Sequence, residues 1–198
     1  LLKQLKKVKI NCRLSEKCLE IVDGKGSEII KEMILKGIPV EQWQIRSASS
    51  ADCEFYWHWV NDVDVRQSAF NSEPISWEDH QEWFKNKLND PSSTLFLIES
   101  HLGPIGQVRF EKSGLHFKID YSIARQFRGM GLGEPLLSEG IKLFLENNQG
   151  STLVSEVKEE NQASKKIFKN VGFREMLLSH QVKNMKKHFQ FQLSPKTR

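Results

Sequence analysis

Between Leu115 and Ala124 apolar and polar positions alternate. Phe117, Ile119, Tyr121 and Ile123 fall on one side, His116, Lys118, Asp120 and Ser122 on the other. That period of two predicts a strand with one buried face. After a short loop, Leu132, Leu136, Leu137, Gly140, Ile141, Phe144 and Leu145 recur at helical spacing. Pro135 falls in the first turn of that helix, where its missing N–H does no harm. Thr152 to Val157 predicts a strand. Asn161 then caps a helix whose apolar face is Ala163, Ile167, Phe168 and Val171, and Gly172 ends it. Residues 115–157 therefore form one strand–helix–strand crossover.

Upstream, Trp43 to Ser47 predicts a short strand, and Ala51 to Asn61, with Phe55, Trp57 and Trp59, a helix. Ser76 is a helix N-cap with Asp79 in a capping-box-like position, followed by Trp83, Phe84 and Leu88. Thr94 to Glu99 and Ile105 to Glu111 flank a turn at His101-Leu102-Gly103-Pro104 and read as a hairpin. His188 to Leu193 is the last strand. The pattern predicts an α+β (or mixed α/β) domain over residues 41–198, its strands mostly antiparallel apart from the crossover.

Residues 1–40 read differently. Leu14, Cys18, Leu19 and Val22, then Ile29, Ile30, Met33 and Ile34, suggest two helical pieces broken at Asp23-Gly24-Lys25-Gly26. Gly37-Ile38-Pro39 marks a boundary. The segment is too short and too charged to bury a core alone. The chain opens on Leu1 without an initiator Met, and the expectation is a piece of a longer protein.

The chain is 198 residues with a net charge of +4. Residues 1–40 hold nine basic and five acidic residues, so residues 41–198 are balanced. A neutral main domain gives no broad footprint for nucleic acid. No apolar run suits a membrane span, and no signal peptide is visible. Cys12, Cys18 and Cys53 lack CxxC spacing, and the six histidines form no HExxH pair. The reading is a cytoplasmic protein with free thiols and no metal site.

The loop between the alternating strand and its helix is RQFRGMGLG, Arg125 to Gly133. Glycines at every second position, at a helix N-terminus and beside Arg125 and Arg128, suit a phosphate, although a plain tight turn also uses glycines. The ATP pattern GxxxxGK[ST] is absent, and the spacing is wrong for the dinucleotide pattern GxGxxG. What remains is Arg128-Gly129-Met130-Gly131-Leu132-Gly133.

That RxxGxG run resembles the acyl-coenzyme A signature of the GNAT superfamily of N-acetyltransferases. Asn161-Gln162-Ala163-Ser164, Ile167-Phe168 and Gly172-Phe173 resemble its second motif. The resemblance spans roughly residues 43–193. It implies the GNAT fold, a twisted, mostly antiparallel sheet flanked by helices, and acetyl-CoA as co-substrate. Trp59-x-Asn61-Asp62-x-x-Val65-Arg66 and Ser76-x-x-x-His80-x-x-Trp83 resemble the branch that acetylates nucleotide-linked amino sugars, including the UDP-4-amino-sugar enzyme of pseudaminic acid biosynthesis. That branch usually has Arg where this chain has Val60. Leu19 to Gly26 with Ile29-Ile30 is similar to the C-terminal end of the UDP-sugar hydrolase of the same pathway, which implies fusion to an upstream hydrolase. The bare alternative is a helical N-terminal extension.

The resemblance places Ile123 and Ala124 beside the pantetheine. It puts the N–H groups of Arg128, Gly129, Met130, Gly131, Leu132 and Gly133 on the pyrophosphate. Asn161, Ser164 and Phe168 then lie along the pantetheine arm, with N-capping as the plain role of Asn161. Glu156 is the first candidate base and Asp120 the second; either could instead be a surface carboxylate paired with Arg or Lys. Phe168 stands where many relatives have Tyr and has no proton to give, so Tyr121 or water is left as the acid. Tyr121 also fits a core position. Acceptor candidates are Asn61, Arg66, His80, Trp83 and Arg109. Arg66 or Arg109 would meet the UDP phosphates and Trp83 would stack on a ring, although Trp83 equally suits a core. The rival readings are acetylation of a protein N-terminus or a polyamine such as spermidine, and a coenzyme A binding module without chemistry.

Overall fold

The computed structural model describes residues 40–101, 103–176 and 188–194. The two N-terminal helical pieces and the hydrolase-like stretch lie outside these residues, as do Cys12 and Cys18. The chain divides into units at Leu1–Pro39 and Val40–Arg198.

Among the described residues of the second unit, seven strands make one sheet in the order β1-β2-β3-β4-β5-β7-β6. They are β1 (Gln44–Ser47), β2 (Ser93–Ser100), β3 (Gly103–Ser113), β4 (His116–Ile123), β5 (Thr152–Lys158), β6 (Arg174–Met176) and β7 (His188–Leu193). The helices are α1 (Cys53–Val60), α2 (Val63–Ser68), α3 (Trp77–Asn89), α4 (Gly133–Asn147) and α5 (Gln162–Asn170). All pairings are antiparallel except β4 with β5, the strands joined by the crossover through α4.

Strand alternation sorts the sheet into two layers of contacts. Phe110 on β3 stacks on Phe144 of α4 at 3.9 Å, and Phe117 on β4 meets the same ring edge-on. Gly140 lets α4 lie close to β3, because a Cβ there would stand 2.9 Å from Val108 Cγ2. On the opposite side of β3, Arg109 reaches Trp83 of α3. So α4 and α5 cover one face and α1 and α3 the other. Tyr56, Trp59 and Phe84 lock α1 to α3, and Tyr56 donates its hydroxyl hydrogen to the Phe96 carbonyl. Ser76 caps α3 by accepting from the Asp79 N–H, the start the sequence predicts.

The feature that positions the site is a gap in the sheet. β4 and β5 pair only through His116, Lys118 and Phe117, opposite Thr152, Val154 and Leu153. Beyond them β4 stays bound to β3 as far as Ile123, and β5 stays bound to β7 as far as Lys158. The two strands diverge, and their facing edges over 119–123 and 155–158 are unpaired with each other.

Candidate active site

The loop after β4 sits at the open end of this gap. Gly129 and Gly131 have φ of +75° and +76°, backbone that other residues adopt at a cost, and a Cβ on either would meet nothing within 4 Å. Gly133 differs. A Cβ there would stand 2.5 Å from Ile167 Cδ1, so it serves the packing of α4 on α5 rather than open space for a ligand. This corrects the single role the sequence suggests for the three glycines. The N–H groups of Gly129, Met130, Gly131 and Leu132 form no well-aligned backbone hydrogen bond among the described residues. With the N-terminus of the fifteen-residue α4 behind them, they fit a diphosphate.

Backbone direction along β4 fits an extended amide-bearing ligand in the gap. The Ala124 N–H donates to Ile105 on β3. Alternation then turns the Ile123 N–H away from β3, towards the gap. The Ile123 carbonyl, however, accepts from Arg128 Nε at 3.0 Å, so only one of its two backbone groups is left for a pantetheine amide.

Arg128 is engaged further. Its Nη1 lies 2.6 Å from Asp62 Oδ1 and 3.0 Å from Asp64 Oδ2, while its buried Nη2 has no partner. Its side chain therefore ties the loop to the start of α2, and its backbone N–H donates to the Arg125 carbonyl, which corrects Arg128 as a diphosphate contact. Asp62 also caps α2, accepting from the Asp64 and Val65 N–H groups. Burial works against its charge, but Arg128 and these N–H groups outweigh it and hold the carboxyl below the usual range.

On the α5 side, Asn161 accepts the Ser164 N–H at 3.0 Å, the capping role. Tyr121 donates to Ser164 Oγ at 3.2 Å, and burial pushes its hydroxyl up to about 12. Phe168 is corrected as a cofactor contact. It is 2% exposed and packs against Tyr121, Phe173 and Phe191. Its side chain belongs to the core, one helical turn from Ser164, where the Tyr121 hydroxyl lies.

On the other face of the gap is a cleft of about 220 Å³ lined by Phe70, Arg109, Glu111, Lys118, Asp120 and Glu156, among others. Arg109 lies 3.3 Å from Asp120 and from Glu111, with its guanidinium 5.3 Å from the Trp83 ring centre. Glu156 lies 3.5 Å from Lys118. Both candidate bases are thus at the cleft, each beside a cation. Arg66 donates to the Glu73 carbonyl and has a buried Nε without a partner. Burial, then the charge of Arg109, lowers its affinity for the proton.

Two acceptor assignments are corrected. His80 is 2% exposed, stacked among Trp77, Trp83 and Phe84, and its Nε2–H donates to the Cys53 carbonyl. Burial holds it below the ordinary histidine range, hence neutral. Asn61 spends both ends of its amide on the Ile75 backbone. Both are structural. Sequence reasoning missed Phe70 and Lys158. Phe70 is an exposed aromatic at the cleft with no periodic neighbours to flag it. Lys158 is a 5% exposed lysine at the end of β5. Among the described residues no group of His, Cys, Asp and Glu is placed to hold a metal, and no helix is long and apolar enough to cross a membrane.

The sequence profile of the acetyltransferase (GNAT) domain matches residues 43–174. A search of curated protein sequences found no match. Solved structures share the fold. The spermidine N-acetyltransferase of Vibrio cholerae, in complex with CoA and spermine, is 18% identical with a TM-score of 0.65, covering 77% of this chain and 94% of its own. RimL, a ribosomal L7/L12 alpha-N-protein acetyltransferase in complex with coenzyme A, is 16% identical with a TM-score of 0.66, covering 80% and 97%. YncA from Salmonella typhimurium, a putative acetyltransferase with acetyl-CoA, is 17% identical with a TM-score of 0.62, covering 77% and 94%. The first two are a spermidine and a ribosomal-protein acetyltransferase, not nucleotide-sugar enzymes.

Proposed function

Because the chain belongs to the GNAT acetyltransferase family, we propose that this N-acetyltransferase passes the acetyl group of acetyl-CoA to the primary amine of a nucleotide-linked amino sugar. Acetyl-CoA supplies an activated acyl thioester; the chain supplies position and protons. The Gly129–Leu132 N–H groups hold the diphosphate, and the Ile123 N–H holds the pantetheine in the gap. The amine arrives from the cleft face, where Glu156, directly or through a water, removes its proton. The sulfur departs towards the other face, where the Tyr121 hydroxyl donates.

The observation that carries the acceptor class is the pair Arg66 and Arg109. Arg66, near enough to Arg109 to feel its charge and with an orphaned buried Nε, forms with it a pair that suits a bridging phosphate. Trp83 braces Arg109, and Phe70 is an exposed aromatic lining the same cleft. The pseudaminic-acid branch is the specific form of this reading.

A second reading is favoured by the same cleft. Glu111, Asp120 and Glu156 outnumber Arg109 and Lys118, a balance that suits a cationic polyamine or a protein N-terminus. Coenzyme A release measured with a UDP-4-amino sugar, spermidine and an N-terminal peptide separates them. Turnover with the sugar alone is expected. Turnover with spermidine or the peptide alone would replace the proposal. Coenzyme A binding without turnover on any amine would leave a binding module.

A further inference from the structure

Helix α2 is six residues long, too short to hold itself together. It is gripped at both ends by cations that belong to opposite sides of the gap. At its N-terminus Asp62, with Asp64 beside it, is bound by Arg128 from the loop after β4, and Arg125 lies 3.9 Å from the same carboxylate. At its C-terminus the Gln67 carbonyl, one of those a helix leaves without an internal partner, accepts from Lys158 Nζ at 2.8 Å. Lys158 ends β5 and is almost completely buried. A buried ammonium is costly unless it is well held, so a lysine spent on one helix end marks a position the fold depends on.

This places α2 across the mouth of the gap, with one end on the β4 arm and the other on the β5 arm. The helix carries Arg66 and leads into Phe70 at the cleft. Arg128 is at the same time the residue next to Gly129, where the coenzyme A diphosphate is held.

We propose that α2 is a strap coupling the donor site to the acceptor site, with Arg128 and Lys158 as its positioning residues. Coenzyme A in the loop fixes Arg128, Arg128 fixes the start of α2, and Arg66 and Phe70 are thereby set for the acceptor. The donor then prepares the acceptor side before the acceptor arrives. The proposal rests on donor binding at Gly129–Leu132 and is independent of which amine is acetylated.

The test uses coenzyme A alone as the probe and amide hydrogen exchange over residues 63–70 as the readout. In the wild type, coenzyme A is expected to slow exchange there by about fivefold or more, the low end of ordinary coupling between sites. In the Asp62→Asn, Asp64→Asn double variant, coenzyme A is expected still to bind, seen as a thermal shift, with the slowing at 63–70 lost. Lys158→Met is expected to speed exchange at 63–70 and, by reciprocity, to weaken coenzyme A by no more than the coupling factor seen in the wild type. Exchange at 63–70 that ignores coenzyme A in the wild type would overturn the proposal. So would slowing that persists in the double variant, or loss of coenzyme A binding by it. Unchanged exchange in Lys158→Met would remove Lys158 from the strap.

Discussion

Tyr121 on β4 donates its phenolic hydrogen to Ser164 on α5 over 3.2 Å. The phenol is therefore aimed at the turn of α5 that precedes Phe168. Replacing Tyr121 with Phe should lower kcat by roughly 100-fold, the usual scale of a general acid. Coenzyme A affinity should stay within about twofold, as the diphosphate and backbone contacts are untouched. Single-turnover coenzyme A release checks it, and a variant with wild-type kcat would return the acid role to water.

The same hydroxyl makes a stability claim. Its folded value is raised to about 12, above the unfolded value of about 10. The stability it lends is whole below about pH 10 and is lost as pH rises through the folded value. Urea midpoints measured from pH 9 to 12 should fall more steeply for the wild type than for Tyr121→Phe.

Gly131 and Gly133 should separate by mutation. Gly131→Ala adds a methyl at φ +76° in open space. That strain costs about 1–2 kcal/mol, and the methyl occupies the diphosphate's approach. Coenzyme A affinity should fall by about tenfold or more, as titration calorimetry would show. Gly133→Ala meets Ile167 instead, so it should lower the melting temperature with a smaller effect on coenzyme A affinity.

His80 gives an acid-side prediction. Its folded pKa is depressed by burial, so its contribution is whole above the unfolded value of about 6.5 and is lost as pH falls from there through the folded value. His80→Gln keeps an N–H for the Cys53 carbonyl but cannot titrate. The wild type should lose more stability than the variant between pH 7 and pH 5. Parallel denaturation curves across that range would show that His80 does not titrate on unfolding.

Much of the fold was legible because burial on one face writes itself into the sequence. The alternation from His116 to Ile123 is β4, and the apolar spacing after Leu132 is α4. α2 was not legible. Val63, Asp64, Val65 and Arg66 show no helical period, and what holds them is Arg128 and Lys158, distant in the chain. β6 is three exposed residues paired with β7, with Lys169 of α5 on Glu175. The placing of His80 is illegible in the sequence for a related reason. A histidine four residues after a cap can face either way, and only the packing of Trp77, Trp83 and Phe84 shows that it faces inward. The Arg128 motif is legible by its spacing, while its carboxylate partners Asp62 and Asp64 lie in another element.

The short β4–β5 pairing has a consequence for selectivity. A sheet that stops pairing halfway has two rims facing each other inside one molecule, unpaired with each other and with the Ile123 carbonyl taken by Arg128. A ligand that is itself peptide-like can act as an interposed rung between them, whereas a plain alkyl thioester offers no amides to bind there. On the proposed placement of the pantetheine, the enzyme is expected to read the carrier rather than its acyl cargo. Lengthening the cargo by one carbon should be tolerated far better than shortening the carrier by one amide.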